Sequence, residues 1–115
     1  LEATVERLGL DGAAYRKVLE PLVKNWEALL PEVLGPLRLP RHPLLMARFG
    51  ARALLSARRM AEGTFRGEPA RALFAGMAAH SFSSLESPTT AAFGLMLLIA
   101  GHAVGWPAPR GGSQA

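Results

Sequence analysis

An arginine, two glycines and a serine stand together near residue 110 in an order that suits anion binding: Arg110, Gly111, Gly112 and Ser113. Adjacent glycines let the backbone turn sharply or lie close to a ligand. Ser113 is a favoured N-cap, which places a helix start at Gln114. Because a helix N-terminus directs free N–H groups at anions, the segment predicts an anion-binding turn. A flexible glycine-serine tail is the alternative.

The histidines His42, His80 and His102 are isolated in sequence. No His-x-x-x-His pair and no carboxylate at ligand spacing accompanies them, so we predict no metal site. His80, Ser81 and Glu86 have the residue types of a hydrolytic triad. A serine directly beside its base is seldom placed for activation, however, and no nucleophile-elbow sequence is present, so no catalytic residue is assigned. We expect His80 in a cavity wall instead, because it ends a helix of small residues.

Two features absent from the sequence exclude further kinds of functional site. There is no cysteine, which excludes disulfides, thiolate metal ligands and a cysteine nucleophile. There is also no Gly-x-Gly-x-x-Gly and no Walker sequence. We therefore expect that the chain does not bind a dinucleotide by itself and is not a complete redox enzyme.

Helical periodicity runs along the whole chain, and no segment alternates with a period of two. The 115 residues are 50% apolar and 19% charged, which excludes intrinsic disorder and suffices for one domain with a core. The sequence thus predicts an all-α fold, a small helical bundle of about four to five helices around a central apolar helix. We expect residues 1–115 to form a single helical domain.

Two amphipathic helices are predicted before residue 60. The first follows Asp11 as N-cap, is kinked at Pro21, and carries an apolar stripe: Tyr15, Leu19, Leu22, Trp26, Leu29, Leu30 and Val33. The second covers about 43–60 and directs five apolar side chains at the core: Leu44, Leu45, Phe49, Leu54 and Leu55.

The last predicted helix, about 88–104, is apolar nearly all round. It is shorter than the roughly 20 apolar residues of a membrane span, which favours a buried central helix. Gly94 and Gly101 lie on one face of it, where missing side chains permit close approach of another backbone or of a flat ligand. The sequence alone does not decide between helix packing and ligand contact at these glycines, and Gly94 is kept as a candidate cavity residue.

Residues 38–71 carry eight arginines and two glutamates within a chain of net charge +4. Arg41, Arg48, Arg52 and Arg59 fall on one predicted helix side. No aromatic residues interleave with them as base stacking would require, so we expect a solvated face and no nucleic-acid partner. A peripheral contact with an anionic membrane surface is a further hypothesis, for a chain otherwise expected in the cytoplasm.

Three segments resemble the middle of the phytoene-desaturase-like FAD-dependent oxidoreductases. They are Leu-Phe-Ala-Gly-Met-Ala-Ala-His-Ser at 73–81, Thr-Ala-Ala-Phe-Gly at 90–94, and Gly-Trp-Pro with Pro-Arg-Gly-Gly-Ser-Gln-Ala at 105–115. The whole chain is similar to the helical insert that precedes the Arg-Gly-Gly-Ser turn of these enzymes. The resemblance implies a substrate-domain fragment that covers a flavin, with residues 105–115 leading back to the flavin domain.

The same resemblance implies roles for individual residues. Arg110, Gly111, Gly112 and Ser113 would lie near the FAD of the parent enzyme, and His80 with Ser81 would line or border a cavity for an apolar small-molecule substrate. The partner implied is the remainder of the flavoenzyme. The fragment alone is expected neither to bind FAD nor to catalyse a reaction, because the cofactor carries the chemistry.

An interaction module is the alternative to the enzyme fragment. On this hypothesis the chain is a self-associating helical module without catalytic activity, and a second copy covers its apolar surface. Exposed apolar patches tend to be covered by association. On either reading we expect a homo-oligomer in solution.

Overall fold

The structure is a computed structural model and describes residues 1–34, 41–106 and 110–111. The described part is helical and contains no strand. Its helices are α1 (Glu2–Leu8), α2 (Gly12–Lys24), α3 (Trp26–Leu34), α4 (Pro43–Ala53), α5 (Ala57–Thr64), α6 (Glu68–Ala78) and α7 (Thr90–Val104), with 3-10 turns at Gly9–Asp11 and Ala79–Ser81. The predicted all-α fold is confirmed, and these helices outnumber the four to five expected.

Helix α7 is the central helix of the bundle, as the sequence predicted. It packs against α2, α3, α4, α5 and α6. Ala91, Leu95 and Ile99 of α7 are fully buried. A helix that is apolar all round must be covered on most sides, and the shorter amphipathic helices provide that cover.

Helices α6 and α7 pack closely against each other at Gly94. A Cβ atom added to Gly94 would lie 2.9 Å from the ring of Phe74 and 3.3 Å from the Cβ of Ala78. Both neighbours are fully buried, so neither has open space to move into. The missing side chain at 94 therefore serves helix packing.

The helix predicted over 43–60 is in fact two helices, which corrects the sequence analysis. Helix α4 ends at Ala53, and Ser56 begins α5 as its N-cap, accepting a hydrogen bond from the backbone N–H of Arg59 at 3.2 Å. The N–H of Ala57 donates to Oγ1 of buried Thr90 at 2.8 Å. Serine caps satisfy N–H groups that lack helical partners, and here the cap outweighs a continuous helix.

This break changes which side chains face the core. Of the five apolar residues predicted to do so, only Phe49 is buried, while Leu44 and Leu54 are 81% and 70% exposed. Leu45 and Leu55 are half-buried and pack against the core. Arg59 belongs to α5, so the four arginines do not share one helix side as predicted.

Asp11 connects the first turns of the chain to the start of α6. It occupies the predicted N-cap position of α2 but makes no side-chain cap hydrogen bond there. Its carboxylate instead accepts from the N–H of Arg66 at 2.8 Å and that of Gly67 at 2.6 Å. These donors, the N–H of Arg66 foremost, hold the pKa of Asp11 below its usual range.

Candidate functional site

Helices α3 and α7 enclose an apolar groove of about 530 Å³. Among the described residues, all but one of the lining side chains are apolar, and the exception is His80. The lining residues are Trp26, Leu30, Val33, Leu34, His80, Ala92, Phe93, Met96, Leu97 and Ala100. A cavity with this lining favours an uncharged apolar occupant.

Helical spacing explains how two helices build this groove. Trp26, Leu30 and Val33 recur at steps of four and three on α3, and Ala92 and Met96 are one turn apart on α7. The sequence analysis assigned the α3 residues to the apolar stripe. In the structure the stripe divides, because Tyr15, Leu19, Leu22 and Leu29 are buried whereas these three residues line the groove.

His80 is the only one of the three predicted cavity residues that lines the groove. It lies on the exposed 3-10 turn after α6. Oγ of Ser81 accepts from the N–H of Ser83 within that turn, at 3.3 Å. Gly94 faces Phe74 rather than the groove.

The structure does not assemble the triad residues. In the described part of the chain no hydrogen bond joins His80 to Ser81 or to Glu86. The Glu86 carboxylate instead pairs with Arg58, with 2.5 Å between Oε1 and Nη1. His80 is therefore a groove residue that can donate or accept one hydrogen bond, without a base-nucleophile arrangement.

Arg110 and Gly111 form an exposed turn after α7. The φ angle of Gly111 is 88°, a value that L side chains rarely adopt, so glycine is required there. Gly112 and Ser113, the other two predicted cofactor residues, lie outside the described residues, as does the helix start expected at Gln114.

A second cavity, of about 280 Å³, contains a tyrosine-histidine pair that the sequence analysis missed. It is lined by Thr4, Tyr15, Leu73, Met77, Leu98, Gly101, His102 and Trp106. The Tyr15 hydroxyl lies 2.6 Å from Nε2 of His102, and the two rings meet edge to face at 5.6 Å. The sequence offered one indication of this pair, namely that the hydroxyl of a buried tyrosine needs a hydrogen-bond partner.

Burial decides which atom of this pair carries the proton. Tyr15 is fully buried, which raises the pKa of its phenol, so the hydroxyl keeps its proton and must donate it. Burial also lowers the pKa of His102, which favours the neutral imidazole. The Tyr15 hydroxyl finds an acceptor at Nε2 of neutral His102 only in the tautomer that carries its hydrogen on Nδ1, and we assign that tautomer on this ground.

Stability should consequently fall when the solution is acidified through the range in which His102 takes up a proton. A histidine whose folded pKa lies below its ordinary 6.5 contributes stability above pH 6.5, and loses it as the pH falls through the lowered value. We expect the thermal midpoint of His102→Gln to fall less than that of the wild type between about pH 7 and pH 5. Glutamine retains an acceptor for Tyr15 but does not titrate.

The matched control for this measurement is His80→Gln, because His80 lies on an exposed turn and takes part in no ion pair of the described residues. It should retain the wild-type pH dependence. The charged neighbours of His102 on the adjoining helices are Lys24 of α2 and Glu27 of α3. Because all three proteins contain both, these two residues do not account for a difference between the pH curves. Parallel pH curves for wild type and His102→Gln would contradict the assignment of a neutral His102.

Two structural findings bear on metals and membranes. Within residues 1–34, 41–106 and 110–111, no three histidine, aspartate or glutamate side chains are grouped as metal ligands would be. In the same residues no helix combines the length and hydropathy that crossing a bilayer needs.

Comparisons with protein-family models, with curated proteins and with solved structures find no match to this chain.

Proposed function

We propose that the groove between α3 and α7 binds an apolar small molecule, and that the chain serves as the helical substrate-binding region of a FAD-dependent oxidoreductase. The observation that carries the proposal is the lining of the groove, in which His80 is the one polar side chain among the described residues. The volume of about 530 Å³ lies within the range typical of small-molecule sites.

The lining also defines the class of substrate. Burying apolar surface stabilises a complex by roughly 25 cal/mol per Å², whereas a charged group placed in this groove would lose its hydration without a counter-charge. His80 can hydrogen-bond to one hydroxyl or carbonyl at an end of the ligand. The groove therefore suits an uncharged molecule, largely hydrocarbon, with at most one polar end.

The flavin part of the proposal is supported by the resemblance of the segments at 73–81, 90–94 and 105–115, and by the turn at Arg110 and Gly111. A bound flavin supplies hydride transfer. The residues of this chain would bind and orient the substrate and exclude water from it. Arg110 and Gly111 fit a position beside an anionic part of the cofactor, whereas a strand-turn-helix for the dinucleotide is not found in the described residues.

Blocking the groove should abolish binding of an apolar probe. Ala92→Trp places an indole among the groove residues, and we expect it to weaken retinol binding at least tenfold, measured by the emission of retinol itself. The control Ala72→Trp adds the same side chain at an exposed position of α6 outside the groove lining and should bind retinol like the wild type. Equal affinities for all three proteins would remove the groove from the proposal.

The flavin assignment has a separate test. The coding sequence on either side of these 115 residues is translated, and we expect a Gly-x-Gly-x-x-Gly on the N-terminal side and a continuing helix after Ala115. A stop codon directly after Ala115 would contradict the flavoenzyme assignment. It would leave the ligand-binding result from the groove variants unaffected.

A self-associating module remains the second candidate, favoured by the apolar side chains on the surface. Phe82 is 94% exposed, and Leu10 and Trp106 are also largely exposed. Because such side chains are covered by association, we expect light scattering to give a mass above 12.3 kDa that falls in Phe82→Ser. A monomer mass at high protein concentration would eliminate this candidate.

A further inference from the structure

We propose that a cleft between α2 and α4 is a phosphate-binding site. Its volume is about 260 Å³, and three of its six lining residues are cations: Lys17, Arg48 and Arg52. The other three are Val18, Pro21 and Leu22. This cleft shares no lining residue with the groove of α3 and α7, and its ligand is independent of the function proposed for that groove.

The positions of the cations on helices explain why they converge. Lys17 and Pro21 are one turn apart on α2, and Arg48 and Arg52 are one turn apart on α4. Residues four apart lie on the same helix face, so each helix turns its own part of the lining toward the cleft. Cations held on helices keep their spacing better than cations on loops.

Side-chain carboxylates do not neutralise this cleft. All nine aspartates and glutamates of the chain lie in described residues. The ion pairs they form use Arg16, Lys24, His42 and Arg58. None of these pairs in the described part includes Lys17, Arg48 or Arg52, and no carboxylate lines the cleft.

Three cations without a lining carboxylate suit a phosphate dianion better than a monoanion such as a carboxylate. Arg48 can present a fork of donors to phosphate oxygens, and Lys17 adds a point charge. Arg52 keeps its remaining donors beside a 3.4 Å contact from Nη1 to the carbonyl oxygen of Arg48. The apolar side chains of Val18 and Leu22 reduce solvent screening on one side. A phosphate dianion would relieve the repulsion among three like charges.

The phosphate group can belong to a free molecule or to a lipid headgroup. Leu44 lies one turn before Arg48 on α4 and is 81% exposed, so an apolar side chain adjoins the cation face. The shared chemistry is recognition of a phosphate dianion, and two probes separate the sources. They are inorganic phosphate, and vesicles of phosphatidylcholine with or without phosphatidic acid.

The experiment compares wild type, Arg48→Gln/Arg52→Gln and the control Arg7→Gln/Arg59→Gln. The control removes the same charge from two exposed arginines outside the cleft lining. Phosphate binding is measured by calorimetry against chloride at equal ionic strength, and vesicle binding by sedimentation. We expect the cleft variant to lose at least about tenfold in affinity and the control to retain wild-type affinity.

The outcomes separate cleanly. Loss of inorganic phosphate binding in the cleft variant alone, with or without loss of vesicle binding, supports the site with a free phosphate ligand. Loss of binding to phosphatidic acid vesicles alone supports it with a lipid headgroup. Absence of binding to either probe, or equal losses in cleft and control variants, overturns the proposal. If the double variant is unfolded by circular dichroism, Lys17→Gln on α2 provides the same comparison.

Discussion

Replacing Phe74 with alanine should lower the free energy of unfolding by about 3–5 kcal/mol. Phe74 of α6 is 0% exposed, and its ring centroid lies 6.4 Å from that of Phe65. The change removes buried apolar surface and leaves a cavity between α6 and the central helix. Because domains of this size are stable by only about 5–15 kcal/mol, this loss is a large fraction of the free energy of unfolding.

Urea denaturation followed by circular dichroism measures this effect. The control is Phe82→Ala, which deletes the same ring from a side chain that is 94% exposed and should change stability by less than about 0.5 kcal/mol. If the two variants lost similar amounts of stability, the assignment of Phe74 to the core between α6 and α7 would be wrong.

Replacing Gly94 with leucine should destabilise the protein by about 2 kcal/mol or more, although leucine is the better helix former. A Cβ at this position already lies 2.9 Å from the ring of Phe74, and the rest of the leucine side chain has no space. Overpacking therefore outweighs the gain of about 0.8 kcal/mol in helix propensity. Urea denaturation is again the measurement.

Gly76→Leu is the matched control, because Gly76 is an exposed helical glycine with no atom within 4 Å of its added Cβ. It should leave stability unchanged or raise it by up to about 0.8 kcal/mol. Gly94→Leu is thus expected to lower the free energy of unfolding, whereas Gly76→Leu is not.

A second comparison tests the contact between positions 74 and 94. Gly94→Ala should lower the free energy of unfolding by less in a Phe74→Ala background than in the wild type. Equal losses would contradict direct contact between the two positions.

The fold class and the central helix were predictable because they depend on periodicity along one segment. A helix that is as long and as apolar as α7 is stable in a globular protein only when most of its surface is buried. The break at Ser56 was not predicted, although serine is a common N-cap, because the apolar spacing continues across it. That break explains why Leu54 is exposed rather than buried.

The pairings that define the candidate sites join distant parts of the chain. Tyr15 meets His102, and Asp11 meets the backbone before α6, across separations of 87 and about 55 residues. Periodicity assigns each residue to a face but does not say which faces meet. The groove shows the same limit. The apolar stripe of residues 15–33 was predicted on one kinked helix, whereas it runs over two helices, α2 and α3. Its division between the core and a cavity was not predicted.

The central claim, that the groove of α3 and α7 binds an apolar ligand, is tested most directly by energy transfer from Trp26 to retinol. Trp26 lines the groove, whereas the other tryptophan, Trp106, borders the cavity of Tyr15 and His102. In Trp106→Phe we expect saturable quenching of Trp26 emission on retinol addition. Absence of saturable quenching in this variant would show that retinol does not bind and would contradict the claim.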